Sequence, residues 1–251
     1  MKTLRTLAAS ALLLAACSPQ AGAPKRPRLC LFVGFDVSGS FMKGPYYDDA
    51  VHFLSQYLHA HLNGSGGLDV PDALFMGPIG GKMSDEAKTF YPKQTFEGKS
   101  PAELAAKIQE LFPHKDKDDY TDFNVFFTQV ADLVKEKNLV LRPIVLVLMS
   151  DGVPAVGKAK PNYRELKMTP LENLSRNVTV RLLYTDAVTG KSWRDEAPRR
   201  RVKVWTQDAK VMTGWKDPAV WEPGKAPAEQ AKFFAWVKDN VDFPVRSKRV
   251  N

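Results

Sequence analysis

The chain has 251 residues, of which 44% are hydrophobic and 25% are charged, and its formal net charge is +8. A chain of this length is able to bury a full hydrophobic core as one domain. Its basic residues are dispersed apart from short clusters at 25–28, 199–201 and 246–249, and aromatic residues are not interleaved with them as single-strand nucleic-acid binders require. We therefore expect no nucleic-acid partner.

The N-terminus has the pattern of a bacterial export signal. A short basic start is followed by an apolar stretch at 7–14, too short to span a bilayer, and small residues then lead to Cys17. The run Leu-Ala-Ala-Cys that ends at Cys17 resembles a bacterial lipobox, which implies cleavage before the cysteine and a lipid-modified N-terminus. The alternative is a buried N-terminal helix with an incidental cysteine. We predict that residues 1–16 are a lipoprotein signal peptide and that lipid on Cys17 anchors the protein in the cell envelope.

The segment 17–28 connects this anchor to the rest of the chain. It is rich in Pro, Gly and Ala and ends in basic residues, which predicts a flexible tether. Because Ser18 rather than Asp follows the lipidated cysteine, the outer membrane is favoured if the envelope is Gram-negative. Residues 29–251 are predicted to form a single domain with a C-terminal helix and a basic tail. With Cys17 acylated, Cys30 has no intrachain partner, and we expect it to be a buried, unreactive thiol.

Strand-like and helix-like apolar patterns alternate along this domain. Continuous apolar runs predict strands that are buried on both faces, and apolar residues at helical spacing predict amphipathic helices. The predicted strands are 29–35, 73–76, 89–91, 144–149, 178–184 and 202–205, and the predicted helices are 47–62, 101–112, 122–137 and 227–241. This alternation predicts an α/β fold, a three-layer, doubly wound and mostly parallel sheet with helices on both faces.

Oxygen-bearing side chains follow two of these strands. Asp36, Ser38 and Ser40 come directly after the first strand, and Asp151 follows the strand 144–149. Ligands bind at the carboxyl ends of strands in sheets of this kind. Thr121 lies where a loop enters a helix, where its hydroxyl can either cap the helix or point outward. Hard oxygen donors of this type favour Mg²⁺, Mn²⁺ or Ca²⁺.

The sequence Asp-Val-Ser-Gly-Ser, a later Thr and an Asp-Gly after an apolar strand together resemble the metal ion-dependent adhesion site (MIDAS) of the von Willebrand factor type A (VWA) domain family. The resemblance implies that Ser38, Ser40 and Thr121 bind a divalent metal through their hydroxyls. Asp36 and Asp151 would hold it directly or through water. The expected metal is Mg²⁺, with Mn²⁺ or Ca²⁺ as alternatives. The expected partner is a protein that offers a carboxylate to the metal.

Two other functions stay open at this point. A metal-dependent hydrolase would use Asp36 and Asp151 on a phosphate or peptide substrate. However, Ser38 is not in a Gly-x-Ser-x-Gly turn, and Ser38 also occupies the position where related phosphoryl-transfer enzymes have a second aspartate. A structural envelope lipoprotein would use the metal only to stabilise its fold. We expect a binding protein rather than an enzyme, with its partner surface at 41–47, 115–120 and 153–163.

Overall fold

The computed structural model describes residues 29–82, 88–114, 120–156 and 160–242. The predicted signal peptide, Cys17, the tether and the basic tail lie outside the described residues. The strands are β1 (Cys30–Asp36), β2 (Ala73–Ile79), β3 (Tyr91–Pro92), β4 (Ile144–Met149), β5 (Val178–Thr185) and β6 (Lys203–Asp208). The helices are α1 (Gly39–Met42), α2 (Tyr47–Asn63), α3 (Pro101–Leu111), α4 (Phe123–Glu136), α5 (Thr169–Glu172), α6 (Ala187–Asp195), α7 (Ala209–Met212) and α8 (Ala231–Asn240).

The six strands form one sheet in the order β3-β2-β1-β4-β5-β6. All neighbouring pairs are parallel except β2 and β3, which are antiparallel. The strand order reverses between β1 and β4, and in doubly wound sheets the crevice for a ligand lies outside the carboxyl ends of the strands at that point. The predicted fold class is therefore confirmed, and its topology selects the ends of β1 and β4 as the place to look for a site.

The core consists of two apolar layers, one on each face of the sheet. β1 is buried along its whole length because its residues contribute to both layers. Helices α2, α3 and α8 cover one face with residues such as Phe53, Leu104 and Phe233. Helices α4, α5 and α6 cover the other face with residues such as Phe126, Leu171 and Trp193. Both faces of the sheet are thus covered by apolar layers.

The predicted elements agree with the structure in type and differ in their ends. The capping box of Ser100 and Glu103 is present at the start of α3. The C-terminal helix begins at Ala231 rather than at residue 227, because a single turn of 3₁₀ helix precedes it. Helix α6 is absent from the predicted elements, since its sequence is mostly polar and has no apolar run. Cys30 is fully buried, as predicted, and forms no disulfide within the described residues. Within the described part of the chain, no helix is long and apolar enough to cross a membrane.

Candidate metal-binding site

The turn after β1 holds three of the predicted ligands. Asp36 is the last residue of β1 and is fully buried, and the backbone N–H of Ser38 donates to Asp36 Oδ1 over 2.8 Å. Ser38 is the N-cap residue of α1, a position where serine commonly caps the helix, yet its hydroxyl makes no capping bond. Instead it lies 3.2 Å from the hydroxyl of Ser40, which is exposed to solvent. The two predicted hydroxyl ligands are therefore together, directly after the buried carboxylate.

Ser150 connects this turn to the end of β4. Phe35 pairs with Met149 across the sheet, so Asp36 and Ser150 are level with each other. The buried Ser150 hydroxyl donates to Asp36 Oδ2 over 2.5 Å and accepts from the backbone N–H of Gly152 over 2.9 Å. Ser150 thus fixes the orientation of the Asp36 carboxylate and links it to the loop that carries the second aspartate.

Asp151 lies in that loop, which contacts α6 through Trp193. Its Oδ1 accepts from the backbone N–H of Val153 over 3.0 Å. Gly152 has a φ of 79°, and a Cβ there would lie 2.7 Å from a methyl group of Leu182, so glycine is required at this position. The indole N–H of Trp193 donates to the Gly152 carbonyl over 2.7 Å. The loop conformation that presents Asp151 is therefore supported by the core.

Thr121 immediately precedes α4, but it does not cap that helix. Asp122 is the N-cap residue, and its Oδ1 accepts from the backbone N–H groups of Asn124 and Val125 over 2.9 and 3.1 Å. Thr121 is 1% exposed, and its hydroxyl has no hydrogen-bond partner among the described residues. Of the two roles left open by the sequence, capping is therefore taken by Asp122. The Thr121 hydroxyl remains available to a ligand.

Backbone pairing places Thr121 at the same edge of the sheet as Asp36. Tyr120 pairs with Gly81, which follows β2, and Thr121 pairs with Ala155, which follows β4. Because β1 lies between β2 and β4, this segment crosses the carboxyl end of β1. Gly80 permits the crossing, since its φ is 84° and a Cβ there would lie 2.2 Å from the Tyr120 carbonyl oxygen. The five predicted ligands thus occupy one edge of the sheet.

The charges at this edge are not balanced by the protein. Burial and the nearby Asp151 carboxylate raise the pKa of Asp36 to about 7, although the hydrogen bonds from Ser150 and Ser38 oppose the shift. No cationic side chain of the described residues forms an ion pair with Asp36. A buried carboxylate in this environment is unfavourable unless it is protonated or binds a cation. Protonation and cation binding are therefore alternatives at Asp36.

The residues present fit a hard divalent cation. Three hydroxyls and two carboxylates are oxygen donors of the kind that Mg²⁺, Mn²⁺ and Ca²⁺ prefer. In the described part of the chain no group of three or more His, Cys, Asp or Glu side chains could hold a metal, so a site here depends on the hydroxyls. The unpartnered Thr121 hydroxyl and the buried Asp36 carboxylate are both groups that a bound cation would satisfy.

Two features of the site differ from the sequence prediction. Ser150 is not among the predicted ligands, yet it contacts Asp36 directly. The sequence contains a signal for this contact, because the predicted strands 29–35 and 144–149 are parallel and are followed directly by Asp36 and Ser150. The predicted partner surface 41–47 is partly wrong, because Phe41 and Met42 are buried in the core. Phe41 packs edge-on against Phe35 at 6.0 Å. The segments 115–119 and 157–159 of that surface lie outside the described residues.

Comparisons with known proteins give low similarities. No model of a protein family matches the chain, and no curated protein matches it. The solved structures similar to it include the human COPII-coat protein Sec24c, with 12% identity, a TM-score of 0.49, and coverage of 73% of this chain and 30% of that chain. A mussel byssus structure, proximal thread matrix protein 1 with a zinc-occupied MIDAS motif, has 10% identity, a TM-score of 0.43, and coverage of 75% and 46%.

A third similar structure is the VWA domain of SpRpn10, with 13% identity, a TM-score of 0.41, and coverage of 72% of this chain and 88% of that chain. This chain therefore spans less than half the length of the human coat protein and of the mussel protein. Similarities at this level carry no argument about function. The fold is therefore assigned from the strand order, and the candidate site from the hydrogen bonds and burial of its residues.

Proposed function

We propose that this protein is a lipid-anchored binding protein of the VWA type, which uses a divalent cation at the carboxyl edge of its sheet to engage a carboxylate of a protein partner. The observation that carries this proposal is the burial of the Asp36 carboxylate without a cationic side chain of the described residues beside it. Asp36 is a fully buried carboxylate beside a second carboxylate, and the side chain that contacts it, Ser150, is neutral. A cation would offset the cost of burying this charge.

The hydroxyls of Ser38, Ser40 and Thr121 would bind the cation, and Asp36 and Asp151 would hold it directly or through water. When bound, the cation supplies a positive position that accepts an oxygen ligand from another molecule. Neutral hydroxyls leave more of the positive charge uncompensated than carboxylates would. Ser40 is exposed whereas Ser38 is 3% exposed, which supports a cation that is held from below and open to solvent above.

The surface around these residues supports a protein partner. Val156 and Val188 are apolar side chains with exposed fractions of 49% and 76%, and both follow strands that end at this edge. Lys43 and Lys160 are exposed at the same edge and favour an acidic partner. Beside Thr121 is a cavity of about 130 Å³, lined by polar and apolar side chains, which is large enough for one partner side chain.

Binding of metal is tested by substituting the ligand that does not support the fold. We expect Thr121→Ala to weaken binding of Mg²⁺ or Mn²⁺, measured by calorimetry, by about tenfold or more. Its melting temperature without metal should fall only slightly, because the lost hydroxyl makes no hydrogen bond within the described residues and only one buried methyl group is removed with it. Thr128→Ala, within the helix α4 that follows Thr121, is the control, since the Thr128 hydroxyl bonds to a backbone carbonyl one turn earlier. Equal metal affinity in both variants would contradict the proposal.

Binding of a partner is tested by affinity capture from an envelope extract with Mg²⁺ or with EDTA. The proposal expects capture by the wild type with Mg²⁺, and loss of the same protein band with EDTA and with Thr121→Ala. Capture that persists under both conditions would show that the metal does not mediate the interaction. A screen with generic phosphoester and peptide substrates plus Mg²⁺ tests the hydrolase alternative, and we expect no turnover.

We also propose that the protein is located in the cell envelope, anchored through lipid on Cys17, with the outer membrane favoured if the envelope is Gram-negative. The lipobox-like sequence supports this proposal. Membrane fractionation of Cys17→Ala beside the wild type is the test, and the variant should leave the membrane fraction. A variant that stays with the membrane would contradict lipidation as the anchor.

A further inference from the structure

The two ends of the described domain meet at one place, the edge of the sheet opposite the candidate metal site. Leu29, which precedes β1, and Asp242, which follows α8, line the same cleft of about 480 Å³. Pro143 and Asn177, which precede β4 and β5, line it as well. The parallel strands therefore begin at this amino edge. β1 separates it from Asp36 by seven residues, or about 23 Å.

The net charge of the chain resides outside the domain that these ends enclose. Of the 36 basic residues, 28 belong to residues 29–242, where they are matched by all 28 acidic residues. The tether 17–28 has three basic residues and no acidic one, and the tail 243–251 has the same composition. Once residues 1–16 are removed, the whole net charge of +6 is carried by two short segments. Both are joined to the domain at the amino edge.

An exposed apolar loop lies beside these attachment points. Leu141 has an exposed fraction of 82%, the largest of the exposed large hydrophobic side chains of the described residues, and Val140 has 41%. The φ of Leu141 is 69°, an unfavourable value for a branched side chain, and its N–H donates to the Leu174 carbonyl over 2.8 Å. Two residues further on, the Pro143 carbonyl accepts from the N–H of Cys30 over 2.9 Å. The fold thus holds Leu141 outward next to the start of β1.

Three acidic side chains at this edge are engaged within the domain, whereas Asp69, which lines the same cleft, is exposed. Asp72 forms an ion pair with Arg142, and Asp242 forms one with the buried Arg181. Glu136, at the end of α4, pairs with Lys137 over 2.8 Å. These pairs reduce the negative charge that opposes the basic segments. An apolar protrusion close to the points where two basic segments join the domain is the combination that anionic bilayers attract, since headgroups bind the charges and the interface accepts the apolar side chain.

We propose that the amino edge is a membrane-contact surface for an anionic bilayer, with Leu141 and Val140 in the interfacial layer and the basic residues of the tether and the tail on the headgroups. This inference builds on the proposed lipid anchor at Cys17. Residues 18–28 reach at most about 40 Å when extended, so the lipid alone leaves the domain free to rotate. The second contact fixes its orientation and directs the candidate metal site away from the membrane.

The test uses the lipidated full-length protein on vesicles in the presence of EDTA, so that the metal site plays no part. Leu141→Cys is labelled with an environment-sensitive fluorophore, because Cys30 is buried and Cys17 is acylated. Val188→Cys is the matched control, an apolar residue of similar exposure at the opposite edge. On vesicles with about 30% anionic lipid, the label at 141 should shift to the blue and be quenched by a lipid-borne quencher. The label at 188 should show neither change.

Charge variants separate this surface from the lipid anchor. The triple variant Arg246→Glu, Lys248→Glu and Arg249→Glu should lose the blue shift of the label at 141. Salt at about 1 M, which screens charges beyond about 3 Å, should abolish the same shift in the protein without these substitutions. The variant Lys43→Glu, Lys160→Glu and Lys210→Glu changes the same charge at the carboxyl edge and should keep it. Equal shifts at 141 and 188, no shift at 141, or a shift that neutral vesicles also give would each overturn the proposal.

The anchor itself is checked separately by mass spectrometry of the N-terminus. If Cys17 carries no lipid, the proposed anchor is wrong, and flotation of that unlipidated protein then tests the amino edge alone. Flotation with anionic vesicles but not with neutral ones supports the surface, and failure to float with either overturns it. Partner capture in Mg²⁺ does not enter these measurements, so failure of the metal-dependent function leaves their outcome unchanged.

Discussion

The two edges of the sheet, the amino edge where the parallel strands begin and the carboxyl edge where they end, differ in how their buried charges are balanced. At the amino edge the buried Arg181 pairs with Asp242, and the buried His61 Nδ1 lies 2.8 Å from the Asp69 carbonyl. At the carboxyl edge Asp36 is buried without a cation, and the Thr121 hydroxyl has no partner among the described residues. The amino edge therefore balances its buried charge with an ion pair of its own, whereas no ion pair of the described residues balances Asp36. The proposed cation would remove this difference.

The largest expected effect concerns the ion pair of the amino edge. Arg181→Met keeps most of the apolar stem of the side chain but leaves Asp242 without its cation, and we expect the free energy of unfolding to fall by about 3 kcal/mol. Metal affinity should change less than twofold, because Arg181 pairs with Asp242 in the cleft at the amino edge, away from Asp36. Chemical denaturation and calorimetry check the two parts. A large loss of metal affinity with intact stability would show that the edges are not independent.

The next largest effect is expected from substitution of Asp36. The pKa of this carboxyl is raised in the folded state, so its stabilising contribution is present below its ordinary value of 3.8 and is lost as the pH rises through about 7. At pH 8 the ionised group therefore destabilises the metal-free protein. Asp36→Asn mimics the protonated form and should raise the melting temperature without metal, while it weakens metal binding by about 100-fold. A lower melting temperature with retained metal binding would contradict the proposed site.

The pH should affect metal affinity at the carboxyl edge and folding stability at the amino edge. Metal must displace the proton of Asp36, so affinity should fall by about 30-fold between pH 8 and pH 5.5. At the amino edge burial lowers the pKa of His61 to about 4, so its contribution is present above pH 6.5 and is lost as the pH falls through 4. Calorimetry in buffers of different ionisation enthalpy measures the first effect. Denaturation of His61→Asn beside wild type measures the second, and a pH-independent metal affinity would exclude Asp36 as a ligand.

The smallest effect compares two buried serines with similar local bonds. Each hydroxyl accepts from the backbone N–H two residues further on, Ser150 from Gly152 at the carboxyl edge and Ser175 from Asn177 at the amino edge. Replacement of either by Ala should cost about 1 kcal/mol of stability. Ser150→Ala alone should also weaken metal binding by about tenfold, because Asp36 loses the bond that orients it. Equal metal affinity in the two variants would remove Ser150 from the site.

Much of the fold and part of the site could be predicted from the sequence. Continuous apolar runs determine β1 and β4, and the residues after them place Asp36 and Asp151 at one edge, because parallel strands end together. The role of Thr121 could not be decided, since Thr121 and Asp122 are both good capping residues and only the structure shows which one caps α4. The sequence does not predict helix α6, because Trp193 is its one large apolar side chain in the core.

The hydrogen bond from the Trp193 indole to the Gly152 carbonyl gives this protein a built-in optical reporter. Indole emission responds to changes in its hydrogen bonding and local field, and the acceptor is adjacent to Asp151. A movement of that loop on loading with cation would therefore alter the fluorescence of a fully buried tryptophan, without any added dye. The same bond makes Trp193→Phe the natural blank, since it removes the reporting indole while a ring still fills the space beneath the loop.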